Sequence, residues 1–231
     1  VRFYQAFIEG DRWQQYLEGV GITLVATAMA LAIGVVLGVL VAMVRTAHDQ
    51  QRPGRPRNFF LGVVNAICKV YVTVIRGTPM LVQVLIMGMV IFASSRNYTM
   101  VGALTLGINS GAYVAEIIRG GLMSLDPGQM EAGRSLGLNY LDTMRFIVVP
   151  QAFKAILPSL GNEFIILLKD TSMISVIGGQ ELVFFAKNIV NRTFDAMFPL
   201  IGAAVIYLVL VMIFTWLQGK LERRLRQSDR R

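Results

Sequence analysis

Arg76, Asn109, Glu163 and Asp170 interrupt stretches of sequence that are otherwise apolar. In a membrane each ionisable group among them costs about 2.5–3.5 kcal/mol to insert and so calls for a function. Glu163 and Asp170 are seven residues apart, about two helical turns, and share one face about 10 Å apart. Two carboxylates lining an aqueous cavity would hold the ammonium or guanidinium of an amino acid; the alternative is internal pairing with Lys169 or Arg76. Asn109, Tyr113 and Glu116 also share a face. Asn109, the deepest, has the groups to bind a substrate carboxylate or amine, whereas Glu116 lies one turn from Arg119 and reads as an interfacial salt bridge. Arg76 opens the sequence Arg76-Gly77-Thr78-Pro79, which must break a helix. Backbone freed at membrane depth is tolerated only where it is buried in protein or lines a cavity, and broken helices often mark a translocation path. Thr78 is therefore a candidate binding residue. Arg76 either attracts a carboxylate or holds the break together.

Other chemistries have little to work with. Cys68 lies inside an apolar run and His48 in a loop, and there is one of each. No disulfide framework, nucleophile–base pair or metal cluster is expected, and no cofactor. The phosphate-binding pattern G-x-x-x-x-G-K-[ST] is missing from the sequence, so any ATP is expected to be bound by another chain.

The elements that must position these residues are membrane helices. The chain has 231 residues, 55% hydrophobic and 16% charged, with a mean hydropathy of +0.58. A soluble domain needs about a quarter of its residues charged. The net charge of +8 sits in short blocks between apolar runs, the pattern of cytoplasmic loops and not of a nucleic-acid groove. From Gly19 to Val44 the chain is uncharged, reaching roughly 39 Å as a helix against a bilayer core of about 30 Å. Trp13 and Tyr16 precede this run as interfacial aromatics. Ala26, Ala30, Gly34, Gly38 and Ala42 recur every fourth residue along it, a stripe that lets another helix approach closely.

Further apolar runs cover 59–92 (broken at Gly77–Pro79), 98–118, a stretch after Pro150, and 197–217. Basic segments at 45–57, 119–154 and 220–231 belong on one side by the positive-inside rule. The run 59–92 then counts as one crossing: a helix near the inner face, the break, and a spanning helix after it. Five crossings result, with the N-terminus outside and the C-terminus cytoplasmic. The whole of 1–231 reads as a single membrane domain, with 1–16 as an interfacial helix.

The segment between the third and fourth crossings reads Glu131-Ala132-Gly133, three residues, Gly137, nine residues, Ile147-Val148-Val149-Pro150. Asp126-Pro127 is a helix start and Gly137 a stop. Leu136, Leu138, Leu141, Met144 and Phe146 give the short helices an apolar side. The segment resembles the E-A-A-x3-G-x9-I-x-L-P loop of permeases of binding-protein-dependent ABC importers, with Gly133 in place of alanine and Val149 in place of leucine. Arg76-Gly77-Thr78-Pro79, Asn109-Ser110-Gly111-Ala112-Tyr113, Pro158-Ser159-Leu160-Gly161-Asn162-Glu163 and Lys169-Asp170-Thr171-Ser172 are similar to the polar amino acid branch of that family. The resemblance implies an all-α integral membrane protein with the type I ABC importer permease fold, in the bacterial plasma (inner) membrane. It also implies a separate ATP-binding cassette subunit docked on 120–149 through Glu131, Ala132, Gly133, Gly137 and Pro150. A second permease chain and an extracytoplasmic substrate-binding protein complete the assembly. Arg76, Thr78, Asn109, Asn162, Glu163 and Asp170 are the expected substrate residues. A basic amino acid is the leaning, with glutamine, glutamate or another amino-acid-like solute as alternatives. A gradient-driven carrier, the remaining rival, would need an internal repeat or a proton relay, and neither half of the sequence resembles the other.

Overall fold

The computed structural model describes residues 2–49 and 58–228, and among them every regular element is a helix. The basic turn with Arg52, Arg55, Arg57 and Pro53-Gly54 lies outside the described residues, as do Arg230 and Arg231.

Helices α1 (Arg2–Phe7) and α2 (Arg12–Asp49) open the chain, separated by a tight turn at Glu9–Asp11. The helix expected over 1–16 is interrupted: α1 ends at Phe7, and residues 12–16 already belong to the long helix. Tyr16 is buried, not an interfacial anchor. Its ring stacks on Phe7 at 5.4 Å and packs with Leu182, Ala186, Ile189 and Ala203. Helix α3 (Phe59–Gly77) starts on the Asn58 side chain, which accepts from Leu61 N, and ends at Thr78-Pro79. Helix α4 (Met80–Ile86) continues as a wider π turn over Met87–Ile91. The break falls where the proline predicts. The longer piece lies before it: α3 alone is long and apolar enough to span, whereas Met80–Ile91 is too short.

Helix α5 (Tyr98–Met123) is the most enclosed. Helix α6 (Gly128–Ser135), helix α7 (Tyr140–Thr143) and a π turn at Met144–Val148 form the connecting segment. Helix α8 (Val149–Asp170) tightens into a 3₁₀ stretch, Thr171–Ile177. Helices α9 (Leu182–Thr193) and α10 (Met197–Ser228) finish the chain. Four helices are long and apolar enough to cross a membrane, and five if the pair Tyr140–Ile177 and Leu182–Thr193, bent by 46°, counts as one span.

The core is the seam between α2 and α5. The predicted stripe on α2 is buried throughout, at Ala26, Ala30, Gly34, Gly38 and Ala42. A Cβ added at Gly34 would stand 2.8 Å from Ser110 Cβ, and one at Gly38 would stand 2.5 Å from Val114 Cγ1. Helix α5 answers with its own glycines: a Cβ at Gly107 would meet Ile33, and one at Gly111 would meet Leu37 and Tyr71. Glycine on both partners brings the backbones together where lipid offers no hydrophobic drive, leaving packing contacts to hold the pair.

Candidate functional site

Tyr113, Glu116 and Ile117 of α5, Pro158, Ser159, Asn162, Glu163 and Ile166 of α8, and Gln218 and Glu222 of α10 surround a cavity of about 650 Å³. Arg76, at the end of α3, forms part of its wall. That volume lies within the range of about 300–1,000 Å³ usual for ligand sites.

Glu163 is only 6% exposed and faces this cavity. Its Oε1 accepts from Ser110 Oγ at 2.7 Å, and Ser110 is fixed in turn by its close fit against Gly34 of α2. The glycine stripe thus sets where the carboxylate stands. Asn162 lines the cavity beside it and is exposed.

Arg76 is held from two sides. Its guanidinium lies 5.3 Å from the Tyr113 ring centre, a favourable cation–π geometry. It is also 3.9 Å from Glu116 Oε2. Glu116 pairs further with Arg45 and, at 3.8 Å, with Arg119, which itself reaches Asp49 at 3.6 Å. The expected Glu116–Arg119 bridge is present, as one strand of a wider cluster joining α2, α3 and α5. The Arg76 side chain is 44% exposed and lines the cavity.

The structure separates the other predicted substrate residues from this wall. Asn109 does not line the cavity; its Nδ2 donates to Gln83 Oε1 at 2.9 Å. Thr78 is exposed, and its Oγ1 donates to Val74 O at 2.8 Å. Both are engaged in closing the break. Asp170 ends α8 near Lys169, which acts on it electrostatically, and it too is absent from the cavity lining. Its seven-residue spacing from Glu163 is right, but the cavity ends before that second turn. Sequence reasoning passed over Gln83 entirely. Its Nε2 lies 2.8 Å from Ile75 O, 3.2 Å from Thr78 O and 2.8 Å from Thr78 Oγ1. One amide therefore caps the carbonyls that Pro79 leaves open. The available signal was a polar residue one turn beyond a proline break.

The motif residues fall on the connecting segment and, at Pro150, on the start of α8. Asp126 Oδ1 accepts from Gly128 N at 2.8 Å to start α6. Gly137 stops it with a φ of +80°, and Leu138 N returns to Gly133 O at 3.0 Å, the bond that closes a glycine C-cap. Glu131, Ala132 and Pro150 are exposed, and so are Leu136, Leu141 and Phe146. Leu136, Leu141 and Phe146 thus give this short polar segment an exposed apolar side, a feature general to interaction sites.

Comparison with known proteins settles the family. The model of the binding-protein-dependent transport system inner membrane component matches residues 56–227. The chain belongs to that family. It is a multi-pass inner-membrane protein, and the type I permease fold is confirmed. It is 35% identical to the glutamine transport system permease protein of Escherichia coli K12, over 91% of this chain and 92% of the relative. It is also 35% identical to the arginine transport system permease protein of Bacillus subtilis 168, over 92% and 93%. Among solved structures, the crystal structure of an amino acid ABC transporter with histidines matches with a TM-score of 0.80 at 39% identity, over 91% of this chain and 94% of the other. An inward-facing methionine ABC transporter shares the fold, with a TM-score of 0.77 at 17% identity over 94% and 99%.

Proposed function

We propose that this permease carries a polar amino acid through the cavity between α5, α8 and α10, in an importer powered by a separate ATP-binding subunit. The observation that carries the reading is the placing of Arg76 and Glu163 on the wall of one cavity. A guanidinium matches a carboxylate, and a buried carboxylate matches an ammonium, so the pair fits the two ends of an amino acid's backbone. Asn162 adds a neutral donor and acceptor. The relatives named for glutamine and arginine transport, and the amino acid transporter structure, support the same class. The basic end of the molecule, with Arg45, Arg119 and the C-terminal turns of α10, is cytoplasmic in this reading, and residues 120–149 face the ATP-binding subunit. Glu131, Ala132, Gly133, Gly137 and Pro150 form the docking element. A second permease chain and an external binding protein complete the assembly. ATP-driven closure of the subunits pushes on α6 and α7 and flips access to the cavity.

Reconstitution in liposomes with the ATP-binding subunit and the binding protein tests this. Glu163→Gln and Arg76→Gln should each cut ATP-dependent amino acid uptake about tenfold or more while the complex still assembles, since each removes one charge-assisted contact. Undiminished uptake by both variants would remove the cavity from the transport path.

A further inference from the structure

Glu222 plays no part in the reading above, yet it shares the cavity wall with Glu163 and Arg76. Its place is fixed by a crossing of α8 and α10. Gly161 opens that crossing, for a Cβ there would meet Gln218 Cγ at 3.3 Å. Gln218 then donates its amide to Pro158 O at 3.1 Å and to Glu222 Oε1 at 3.2 Å. Glu222 follows Gln218 by one helical turn. Glu222 and Glu163 come from different helices and line the same cavity. Glu222 Oε2 has no partner among the described residues. On its far side Glu222 borders a second cavity of about 550 Å³, lined also by Gln151 and Lys154.

Charge decides what such a site accepts. Arg76 and three carboxylates line the first cavity. Glu116 is taken up by Arg45, Arg76 and Arg119. Glu163 and Glu222 are left facing one ligand. A neutral amino acid brings one cation for two carboxylates, so entry would strip water from Glu222 without replacing it. A ligand with a second cation at the end of its side chain satisfies both, and a site built around a polar partner rejects an analogue that lacks one.

We propose that Glu222 is the specificity-determining residue of this permease, receiving the side-chain cation of a basic amino acid while Glu163 takes the α-ammonium and Arg76 the carboxylate. The assignment rests on the cavity being the substrate site, as read above.

The test uses the complex of the chain with its ATP-binding subunit in nanodiscs, without the binding protein, so that the cavity alone selects. Equilibrium binding of labelled arginine is measured against citrulline, in which a neutral ureido group replaces the guanidinium, and against glutamine. The wild type should prefer arginine. Glu222→Gln should lower the arginine-over-citrulline ratio about tenfold or more by weakening arginine alone, and Glu222→Asp should keep most of the preference. Glu163→Gln should weaken all three ligands together. An unchanged ratio in Glu222→Gln, or an equal loss of all ligands there, overturns the proposal. A wild type preferring glutamine or citrulline also overturns it, while a loss of that binding in Glu163→Gln leaves the cavity reading standing. Binding that is indifferent to Glu163→Gln, or missing from the wild type, removes the cavity reading and this inference with it.

Discussion

A methyl group added at Gly133 would stand 2.4 Å from Thr143 Cγ2, and Thr143 is fully buried. The E-A-A pattern that the segment resembles has alanine at this position, and the sequence alone makes the exchange look like a neutral loss of one carbon. Its cause is ten residues away, across the Gly137 turn, so nothing local reveals it. Gly133→Ala should destabilise the connecting segment by about 1–3 kcal/mol through overpacking, and the Gly133→Ala/Thr143→Ala double variant should recover most of the loss. Thermal unfolding of the purified complex, read beside the ratio of transport to ATP hydrolysis, checks both. Gln83 makes a related point. Replacing it with leucine strands the carbonyls of Ile75 and Thr78 and the Asn109 amide. Each orphaned group costs about 1–3 kcal/mol, partly relieved where water reaches it. Gln83→Leu should therefore lower the unfolding temperature and weaken substrate binding more than Asn109→Ala does. The reverse order would return Asn109 to the substrate. Glu163 and Arg76 stand out in the sequence because their charges interrupt apolar neighbours. The polarity of Asn109 and Thr78 does not by itself separate a ligand contact from a bond within the protein, such as those each makes to Gln83 and to Val74 O.

At the scale of elements, the small-residue stripe of α2 was legible from its four-residue period, and the break after α3 from Pro79. The partner of the stripe was not, because period identifies a face but not what covers it. Gly107 and Gly111 on α5 show that the approach is reciprocal. Gly38→Val should force α2 from α5 against Val114 and Ala115 N, costing about 1–3 kcal/mol or more. Since Ser110 holds Glu163 from the same seam, binding should weaken along with the drop in unfolding temperature; intact binding in a destabilised variant would separate the seam from the site. The node at Glu181 was invisible beforehand. It reads as a loop residue, yet it is fully buried, accepting from Val183 N at 2.8 Å, Phe184 N at 2.7 Å and Tyr207 Oη at 2.9 Å. Leu182 N meanwhile donates to Thr23 Oγ1 at 3.2 Å. Glutamate is an unusual N-cap, so its capping of α9 depends on the fold that brings α2 and α10 around it.

For the whole molecule, composition and the spacing of basic blocks were enough to read a membrane protein of five crossings, because lipid permits so few backbone solutions; the structure has four helices able to cross, or five if the bent pair is one span. Which pieces face a common cavity was less accessible, since Arg76, Tyr113, Glu163 and Glu222 come from four helices and meet only through tertiary packing. The proposed coupling surface on α6 and α7 shares no residue with that cavity, so in this proposal substrate and ATP-binding subunit communicate through helices and not by contact. The most direct test of the central claim is uptake of labelled arginine, glutamine and glutamate into liposomes holding the permease, its copurifying ATP-binding subunit and the binding protein, with and without ATP. The account predicts uptake of an amino acid that requires ATP and is abolished in the Glu131→Ala/Gly137→Ala variant, whose ATP hydrolysis continues. Uptake that ignores ATP and follows an ion gradient, with no ATP-binding subunit copurifying, would contradict it.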